Sequence, residues 1–332
     1  MKRTTIRIGL LGAGAIAKIH ANIYAGLDGV ELTGVAMCTE KELPGLKAIG
    51  PEVVHYPNEE ELFQSLEIDV VDICLPTFLH VPKALEAMKA GKPVICEKPL
   101  ALSVEEAITV QETQRETGML FYVAHVIRFW PQYKYLYDVV KSSKYGPLRS
   151  ASFVRMTAPP DWSRNGWMVD PKRSGGAIFD VHIHDIDFVN HLLGRPKALQ
   201  SVYPEARNHI FSVLQYPEDL YVTVEGGTIL PPHPNFFMGY SAVFEEALFT
   251  FNTLAGDEVS LYLDGKTEMI DCGGPKYEDK LDLFISGGEG YYYQLKHFTD
   301  CIRNNQPSDV VSLESVIQTL EIIEWEIREG GR

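Results

Sequence analysis

Residues 6–126 alternate short apolar runs with stretches of helical periodicity, and this alternation limits the possible folds more than any other feature. The runs IRIGLLG, VELTGVAMC, VVDICLP, PVICEKP and MLFYVAHV have the length and apolar content of buried strands. Strands that alternate with amphipathic helices indicate a parallel sheet with crossover helices. We therefore predict a doubly wound α/β domain at the start of the chain.

Beyond Val126 the pattern changes to longer strands of alternating polarity, separated by turn signals such as YPED and LDGK. One helical stretch interrupts them near residues 175–194, and two more form the tail from Glu289 onward. This pattern predicts an α+β domain with a large, mostly antiparallel sheet and helices on one face. We expect two domains, residues 1–124 and 125–332.

Composition and charge exclude several classes of partner. The 332 residues carry a formal net charge of −15, which repels phosphate backbones and argues against nucleic acid. The five cysteines are scattered and form no CxxC pair, as in proteins of a reducing compartment, so we expect a cytoplasmic protein. No run of about 18 apolar residues occurs, so we expect no membrane span, and the apolar start of the chain is interpreted as a first strand.

A glycine turn joins the first strand to the first helix. Gly12, Gly14 and Ala17 fit the pattern G-x-G-x-x-[GA], in which the first glycine permits the turn and the second lets backbone approach a pyrophosphate. The amides at the helix start, around Ala15 and Ile16, would bind that anion. The motif predicts dinucleotide binding.

The residues after the second strand bear on which dinucleotide is bound. An acid there would bond the ribose 2′-hydroxyl of NAD, whereas a cation would suit the 2′-phosphate of NADP. Thr39 with Glu40 could serve NAD, and Thr39 with Lys41 could serve NADP. We favour NAD and leave NADP open.

Two segments carry candidate catalytic groups. Lys98 follows a strand of the parallel sheet, at the edge where ligands bind, and its ammonium could bond a substrate oxygen. The stretch GGAIFDVHIHDIDF, residues 175–188, is predicted to be helical from about Gly176, which makes Asp180 and His184 an i, i+4 pair. A carboxylate beside an imidazole raises its basicity, so His184 is a candidate general base.

The same stretch has a competing interpretation as a metal site. If it were a strand, His182 and His184 would lie on one side together with Asp180, as metal ligands often do. The stretch continues without a break into an amphipathic pattern that Gly194 ends, which favours the helix. We expect no metal, and we expect His182, Asp185 and Asp187 to lie on other helix faces.

With these segments assembled, nearly the whole chain resembles the Gfo/Idh/MocA oxidoreductase family of glucose-fructose oxidoreductase, inositol dehydrogenase and relatives. The resemblance rests on GLLGAGAIAKIHA, CLPTFLH, AGKPVICEKPLA, VAHVIRFWPQY and SGGAIFDVHIHDID. It implies a Rossmann domain followed by a domain on a large antiparallel sheet, and oxidation of a secondary hydroxyl of a sugar, polyol or derivative, or the reverse reduction.

The resemblance also implies roles for individual residues. Lys98, Asp180 and His184 match the family's catalytic Lys, Asp and His, and the Lys-Pro bond of that motif is often cis. Pro76 and His80 match the segment along the nicotinamide side, and Glu97 matches the acid of the EKP motif.

The chain departs from the family pattern in three places. Leu75-Pro76-Thr77 stands where Thr-Pro-Asn is usual, no acid directly ends the second strand, and the tail motif Tyr-x-x-Glu ends in Gln294. Tyr291 at the start of that motif remains a substrate candidate. Arg128, Trp162 and Trp167 are further candidates, because aromatic rings stack on sugar C–H faces and cations bind hydroxyls or carboxylates.

These features predict an NAD(P)-dependent oxidoreductase that moves a hydride between a small-molecule sugar or polyol and nicotinamide. Two alternatives stay open: retained-NAD chemistry that cleaves a glycosidic bond, and a non-catalytic regulatory protein that binds a dinucleotide. A half-apolar open sheet face would need covering, so we expect a homo-oligomer, either a dimer or a tetramer.

Overall fold

A computed structural model of the protein describes residues 5–50, 52–160, 163–204, 208–232, 236–273 and 288–330. The chain divides into two compact units: residues 1–126 with 275–316, and residues 127–274 with 317–332. The first unit thus includes part of the tail of the chain. The predicted division into domains 1–124 and 125–332 stays a prediction. None of the described helices is long and apolar enough to cross a membrane.

The described residues contain strands and helices in the order that the sequence patterns predict. The strands are β1 (Ile6–Leu11), β2 (Val30–Ala36), β3 (Val54–His55), β4 (Val70–Ile73), β5 (Val94–Glu97), β6 (Phe121–Ala124), β7 (Leu148–Thr157), β8 (Ala198–Val202), β9 (His209–Gln215), β10 (Tyr221–Gly227), β11 (Phe236–Phe244), β12 (Ala247–Asn252), β13 (Val259–Leu263) and β14 (Lys266–Ile270). The α-helices are α1 (Ala15–Tyr24), α2 (Leu43–Ile49), α3 (Glu59–Gln64), α4 (His80–Lys89), α5 (Val104–Thr117), α6 (Pro131–Ser142), α7 (Pro171–Ser174), α8 (Ile183–Leu193), α9 (Gly288–Asn304) and α10 (Leu313–Gly330). Short 3₁₀ turns span Thr77–Leu79, Val126–Phe129 and Arg164–Gly166, and a π-helical turn spans Ile178–His182.

The first sheet is parallel throughout, with the strand order β3-β2-β1-β4-β5-β6. Its central strands are buried on both faces, which explains why they read as continuous apolar runs. The strand order reverses between β1 and β4, and the carboxyl ends of β1, β4 and β5 meet at one edge there. Ligands of such sheets bind at that edge.

The second sheet has eight strands in the order β14-β13-β12-β11-β7-β10-β9-β8. Every pair is antiparallel except β7 with β10, so the predicted mostly antiparallel sheet is confirmed. Alternate residues of β7, such as Phe153, are buried on one face, where Tyr133 of α6 and Phe188 of α8 lie against them at 6.4 and 5.8 Å between ring centroids. This aromatic layer forms part of the core of the second unit.

Side chains cap the starts of helices α3 and α5. The Asn58 side chain accepts from the Glu61 backbone N–H at 2.8 Å, and the Ser103 hydroxyl accepts from the Glu106 N–H at 3.2 Å. The Glu106 carboxylate accepts from Leu102 N–H at 3.1 Å, so the second half of this capping box reaches one residue further back.

Candidate active site

The glycine turn has the geometry that a dinucleotide requires. Gly12 has a φ of +97°, and a Cβ at this position would lie 2.5 Å from the Cys74 carbonyl oxygen, so a side chain is excluded. A Cβ at Gly14 would have no neighbour within 4 Å, which leaves open space in front of the helix start. Ala15 is exposed and Ile16 is partly exposed, whereas Ala17 is fully buried between helix and sheet. No side chain caps α1, so its first amides can bind a pyrophosphate.

An acid that the sequence analysis did not choose lies after β2. The Glu42 carboxylate accepts hydrogen bonds from the Thr39 backbone N–H at 2.8 Å and from its hydroxyl at 2.7 Å. Thr39 and Glu42 are three residues apart, which is the spacing of a capping box, so this pair could have been found from sequence. A carboxylate here can bond a ribose 2′-hydroxyl and would repel a 2′-phosphate, which agrees with the preference for NAD.

The segments that follow β4 and β5 are fixed by buried polar contacts. The His80 side chain is buried and bridges the carbonyl oxygens of Leu75 and Pro99, with 2.7 Å to each from its two ring nitrogens. The Lys98–Pro99 peptide bond is cis, as the resemblance implies. Pro76 is partly exposed at the end of β4. Between residues 94 and 101 Lys98 alone is partly exposed, while its neighbours are buried.

A buried cluster beneath this edge was missed by the sequence analysis. His20 of α1 is fully buried, and its Nδ1 lies 2.8 Å from an Asp72 carboxylate oxygen. Its other nitrogen, Nε2, lies 3.2 Å from Oε1 of Glu97. The Tyr24 hydroxyl donates to Asp72 at 2.8 Å, and the Cys74 sulfur lies 3.4 Å from His20 Nδ1. Glu97, predicted as a cofactor-binding acid, therefore belongs to a polar cluster inside the first unit.

The stretch that carries Asp180 and His184 was predicted to be a regular α-helix from about Gly176, and the structure differs from that prediction. A π-helical turn covers Ile178–His182, and the α-helix proper begins at Ile183. The π turn lies against β10, where a Cβ at Gly226 would come within 2.7 Å of the His182 ring. A π turn has more residues per turn than an α-helix, so residues four apart still share one side.

Three of the five polar side chains in this stretch make buried contacts, as expected for other helix faces. His182 Nε2 lies 3.0 Å from a Glu326 carboxylate oxygen. Asp185 accepts from the Arg155 guanidinium at 2.6 Å. The third, Asp187, accepts from the Arg128 guanidinium and from the Thr319 hydroxyl.

The remaining two, Asp180 and His184, differ from their neighbours in exposure. From residue 176 to residue 190 they are the two residues that are partly exposed, and all the others are buried. Among the described residues, the group of His, Cys and acidic side chains close enough to share one ion comprises His20, Asp72 and Cys74, away from this stretch.

The substrate candidates have different environments. Arg128 is buried, and its Nε and Nη2 donate to the two Asp187 carboxylate oxygens at 2.8 and 2.7 Å. Asp187 therefore holds the Arg128 guanidinium in place, and a contact of Arg128 with substrate stays a prediction. Trp167 is partly exposed, as is Tyr291, whose ring centroid lies 6.3 Å from that of His20. Trp162 lies outside the described residues.

Comparison with known proteins identifies both parts of the chain. Residues 6–125 match the model of the GFO/IDH/MocA oxidoreductase family with an NAD-binding Rossmann fold, and residues 133–238 match the model of its C-terminal domain. The scyllo-inositol 2-dehydrogenase (NAD(+)) of Bacillus subtilis is 26% identical over 94% of this chain and 90% of its own length. An uncharacterized oxidoreductase of Rhizobium meliloti, ORF334, is 32% identical over 96% of this chain and 95% of its own length.

Solved structures show the same architecture. A levoglucosan dehydrogenase in complex with NADH and levoglucosan superposes with a TM-score of 0.85, at 19% identity, over 98% of this chain and 97% of that chain. Because the likeness covers nearly the whole chain, it includes both the six-stranded and the eight-stranded sheet. The chain therefore belongs to the Gfo/Idh/MocA oxidoreductase family and is an oxidoreductase with an NAD-binding Rossmann fold.

Proposed function

We propose that the protein oxidises a secondary hydroxyl of a sugar, a polyol or a sugar derivative with NAD, or runs the reverse reduction. The observation that carries this proposal is the exposure of three side chains. Lys98 in one buried segment, and Asp180 with His184 in another, are the partly exposed residues among buried neighbours. Buried segments that present only such groups to solvent are suited to chemistry, since packing alone does not require them.

Each of the three residues has a distinct role in the proposed reaction. The His184 ring accepts the hydroxyl proton during oxidation and returns it during reduction. The Nδ1 atom of His184 is buried, so we assign Nε2 as the nitrogen that accepts the proton from the substrate hydroxyl. The Asp180 carboxylate orients that ring, and the Lys98 ammonium donates a hydrogen bond to the reacting oxygen. The nicotinamide, when bound, supplies the carbon that accepts or donates the hydride.

A substrate panel tests the proposed function. The purified protein should change the absorbance of the nicotinamide cofactor with at least one of scyllo-inositol, myo-inositol, levoglucosan or a D-glucoside. NAD should be preferred to NADP because of the Glu42 carboxylate. NADH binding without turnover of any polyol or sugar, with either cofactor, would favour the regulatory alternative.

We also propose that the open face of the second sheet forms a homo-oligomer. Four large apolar residues on β9, β10, β11 and β13 are 39–45% exposed: Phe211, Tyr221, Val243 and Tyr262. The residues that directly precede three of them, Ile210, Ala242 and Leu261, are buried on the opposite face of the sheet. Leu220, which precedes Tyr221, is partly buried. Apolar side chains spread over one sheet face favour association.

The mass in solution tests the oligomer. Sedimentation equilibrium at micromolar protein should give a dimer or a tetramer, and Tyr262→Lys should lower the mass without changing the circular dichroism spectrum. A wild-type monomer would contradict the proposal.

We propose that the protein lies in the cytoplasm, since all five cysteines are free thiols, and cell fractionation would test that location.

A further inference from the structure

The buried cluster around His20 has an unusual arrangement of charge. Both ring nitrogens face carboxylates, Nδ1 at 2.8 Å from Asp72 and Nε2 at 3.2 Å from Glu97. A neutral imidazole carries one N–H, so a neutral ring would place a bare nitrogen beside one of the two carboxylates, whereas the imidazolium presents positive charge to both. Burial by itself lowers the pKa of His20, whereas the charge of Asp72 and its hydrogen bond to Nδ1 raise it.

The two oxygens of Glu97 are held from different sides. Oε1 faces His20, and Oε2 accepts from the Lys98 backbone N–H at 3.1 Å. The Glu97 carboxylate therefore connects the His20 ring to the backbone of the residue that carries the proposed catalytic ammonium. Asp72, on the far side of the ring, is held by the Tyr24 hydroxyl as well.

The three residues join the elements that build the cofactor edge. His20 lies on α1, the helix that begins at the glycine turn, while Asp72 lies on β4 and Glu97 ends β5. We propose that His20 is a positioning residue, held as an imidazolium between Asp72 and Glu97, and that it orients the Glu97 carboxylate and with it the backbone that carries Lys98. The catalytic part of this proposal rests on the proposed function, in which Lys98 bonds the reacting oxygen.

Among the groups that face one another in this cluster, the His20 ring is the one that supplies the positive charge. Burial raises the pKa of the Tyr24 hydroxyl and of the Cys74 thiol, so both stay neutral. Tyr291 of α9 approaches the ring as a phenol. Asp72 and Glu97 present carboxylate oxygens to the two ring nitrogens.

Nuclear magnetic resonance of protein labelled with ¹⁵N-histidine tests the protonation state without any substrate. The His20 signals are assigned by their loss in His20→Gln and by their shift in Asp72→Asn. Both ring nitrogens should keep imidazolium shifts from pH 6 to pH 8. A ring that titrates near the ordinary histidine value, or a single protonated nitrogen throughout, would overturn the proposal.

Metal analysis tests the main alternative, in which the cluster around His20 binds a zinc ion. Nδ1 of His20, Asp72 and Cys74 offer ligand atoms of the kinds that zinc takes, within 4.8 Å of one another. Purified protein should contain no stoichiometric zinc, because Nδ1 carries a proton. One equivalent of zinc that is lost in Cys74→Ser would overturn the imidazolium and replace it with a metal ligand.

Kinetics on a substrate from the panel test the positioning role. His20→Gln should lower kcat by about 10- to 100-fold through misplaced catalytic groups, while KM and the NADH dissociation constant change by less than about 3-fold. Asp72→Asn should lower kcat similarly, and the double variant should be no worse than either single variant, since the residues act as one unit.

His297→Gln is the matched control, because it makes the same substitution at a histidine of α9 that lies 2.8 Å from the Ser308 hydroxyl and does not belong to the His20 cluster. It should retain wild-type kcat within about 3-fold. If His20→Gln weakened NADH binding and left kcat unchanged, the ring would support the fold and not the position of Lys98. If substitution of Lys98 left kcat unchanged while the ¹⁵N spectra still showed an imidazolium, the proposed function would be contradicted and the protonation state proposed for His20 would stand.

Discussion

The His184→Asn protein should bind NADH like the wild type and lose about 100- to 10,000-fold in kcat, because general base catalysis contributes that much to proton transfer. Asparagine keeps a polar side chain of similar size but cannot accept a proton at neutral pH. Lys98→Met should lower kcat by about 100-fold or more, since it removes one hydrogen bond to an oxygen that gains charge in the transition state. Stopped-flow single turnovers would separate this chemical step from product release.

Matched substitutions away from the proposed site control for general damage. His209→Asn alters a partly exposed histidine paired with Glu225, and Lys89→Met alters an exposed lysine at the end of α4. Both variants should keep wild-type kcat and KM. A His184→Asn protein with undiminished turnover would remove His184 from the mechanism, whatever the substrate.

The second large effect concerns the stability of the second unit. Arg155→Met should lower the free energy of unfolding by about 3–5 kcal/mol, because it leaves the Asp185 carboxylate buried without its cation. In the folded protein Arg155 donates from Nε to one Asp185 oxygen at 2.6 Å and from Nη2 to the other at 3.1 Å, and both side chains are buried. Urea unfolding followed by circular dichroism measures the change.

Two further variants show whether the buried charge is the cause. Arg149→Met removes an exposed ion pair with Glu245 and should cost less than about 1 kcal/mol. The double variant Arg155→Met with Asp185→Leu removes both charges and should recover much of the lost stability. An Arg155→Met protein as stable as Arg149→Met would show that Asp185 finds other compensation.

Local patterns predict the parts of this protein that depend on neighbours in the chain. The strand–glycine turn–helix order around Gly12 predicts the sheet edge, and helical spacing separates Asp180 and His184 from the buried Asp185 and Asp187. The capping-box spacing of Thr39 and Glu42, which hydrogen-bond each other in the structure, also lies in the sequence.

Contacts between distant residues follow from no local pattern. His20 and Asp72 are 52 residues apart, and each alone resembles an ordinary member of a helix or a strand. The parallel pairing of β7 with β10 likewise depends on the route of the chain, since alternating polarity does not specify strand direction. The π turn at Ile178–His182 lies against β10, and periodicity cannot show such a contact.

The entry of α9 into the first unit has a consequence for synthesis on the ribosome. The Tyr122 hydroxyl of β6 donates to the Gln306 carbonyl oxygen at 2.6 Å, and its ring centroid lies 5.1 Å from that of Phe298. Neither contact can form until the residues near the end of the chain have been synthesised. Domains generally fold in order of synthesis. Here the nascent Rossmann sheet would emerge with its α9-facing surface uncovered, and it would stay so until the whole intervening sheet domain had been translated. Chaperones that bind nascent apolar surface would therefore have their longest access to this protein at the surface that α9 finally covers.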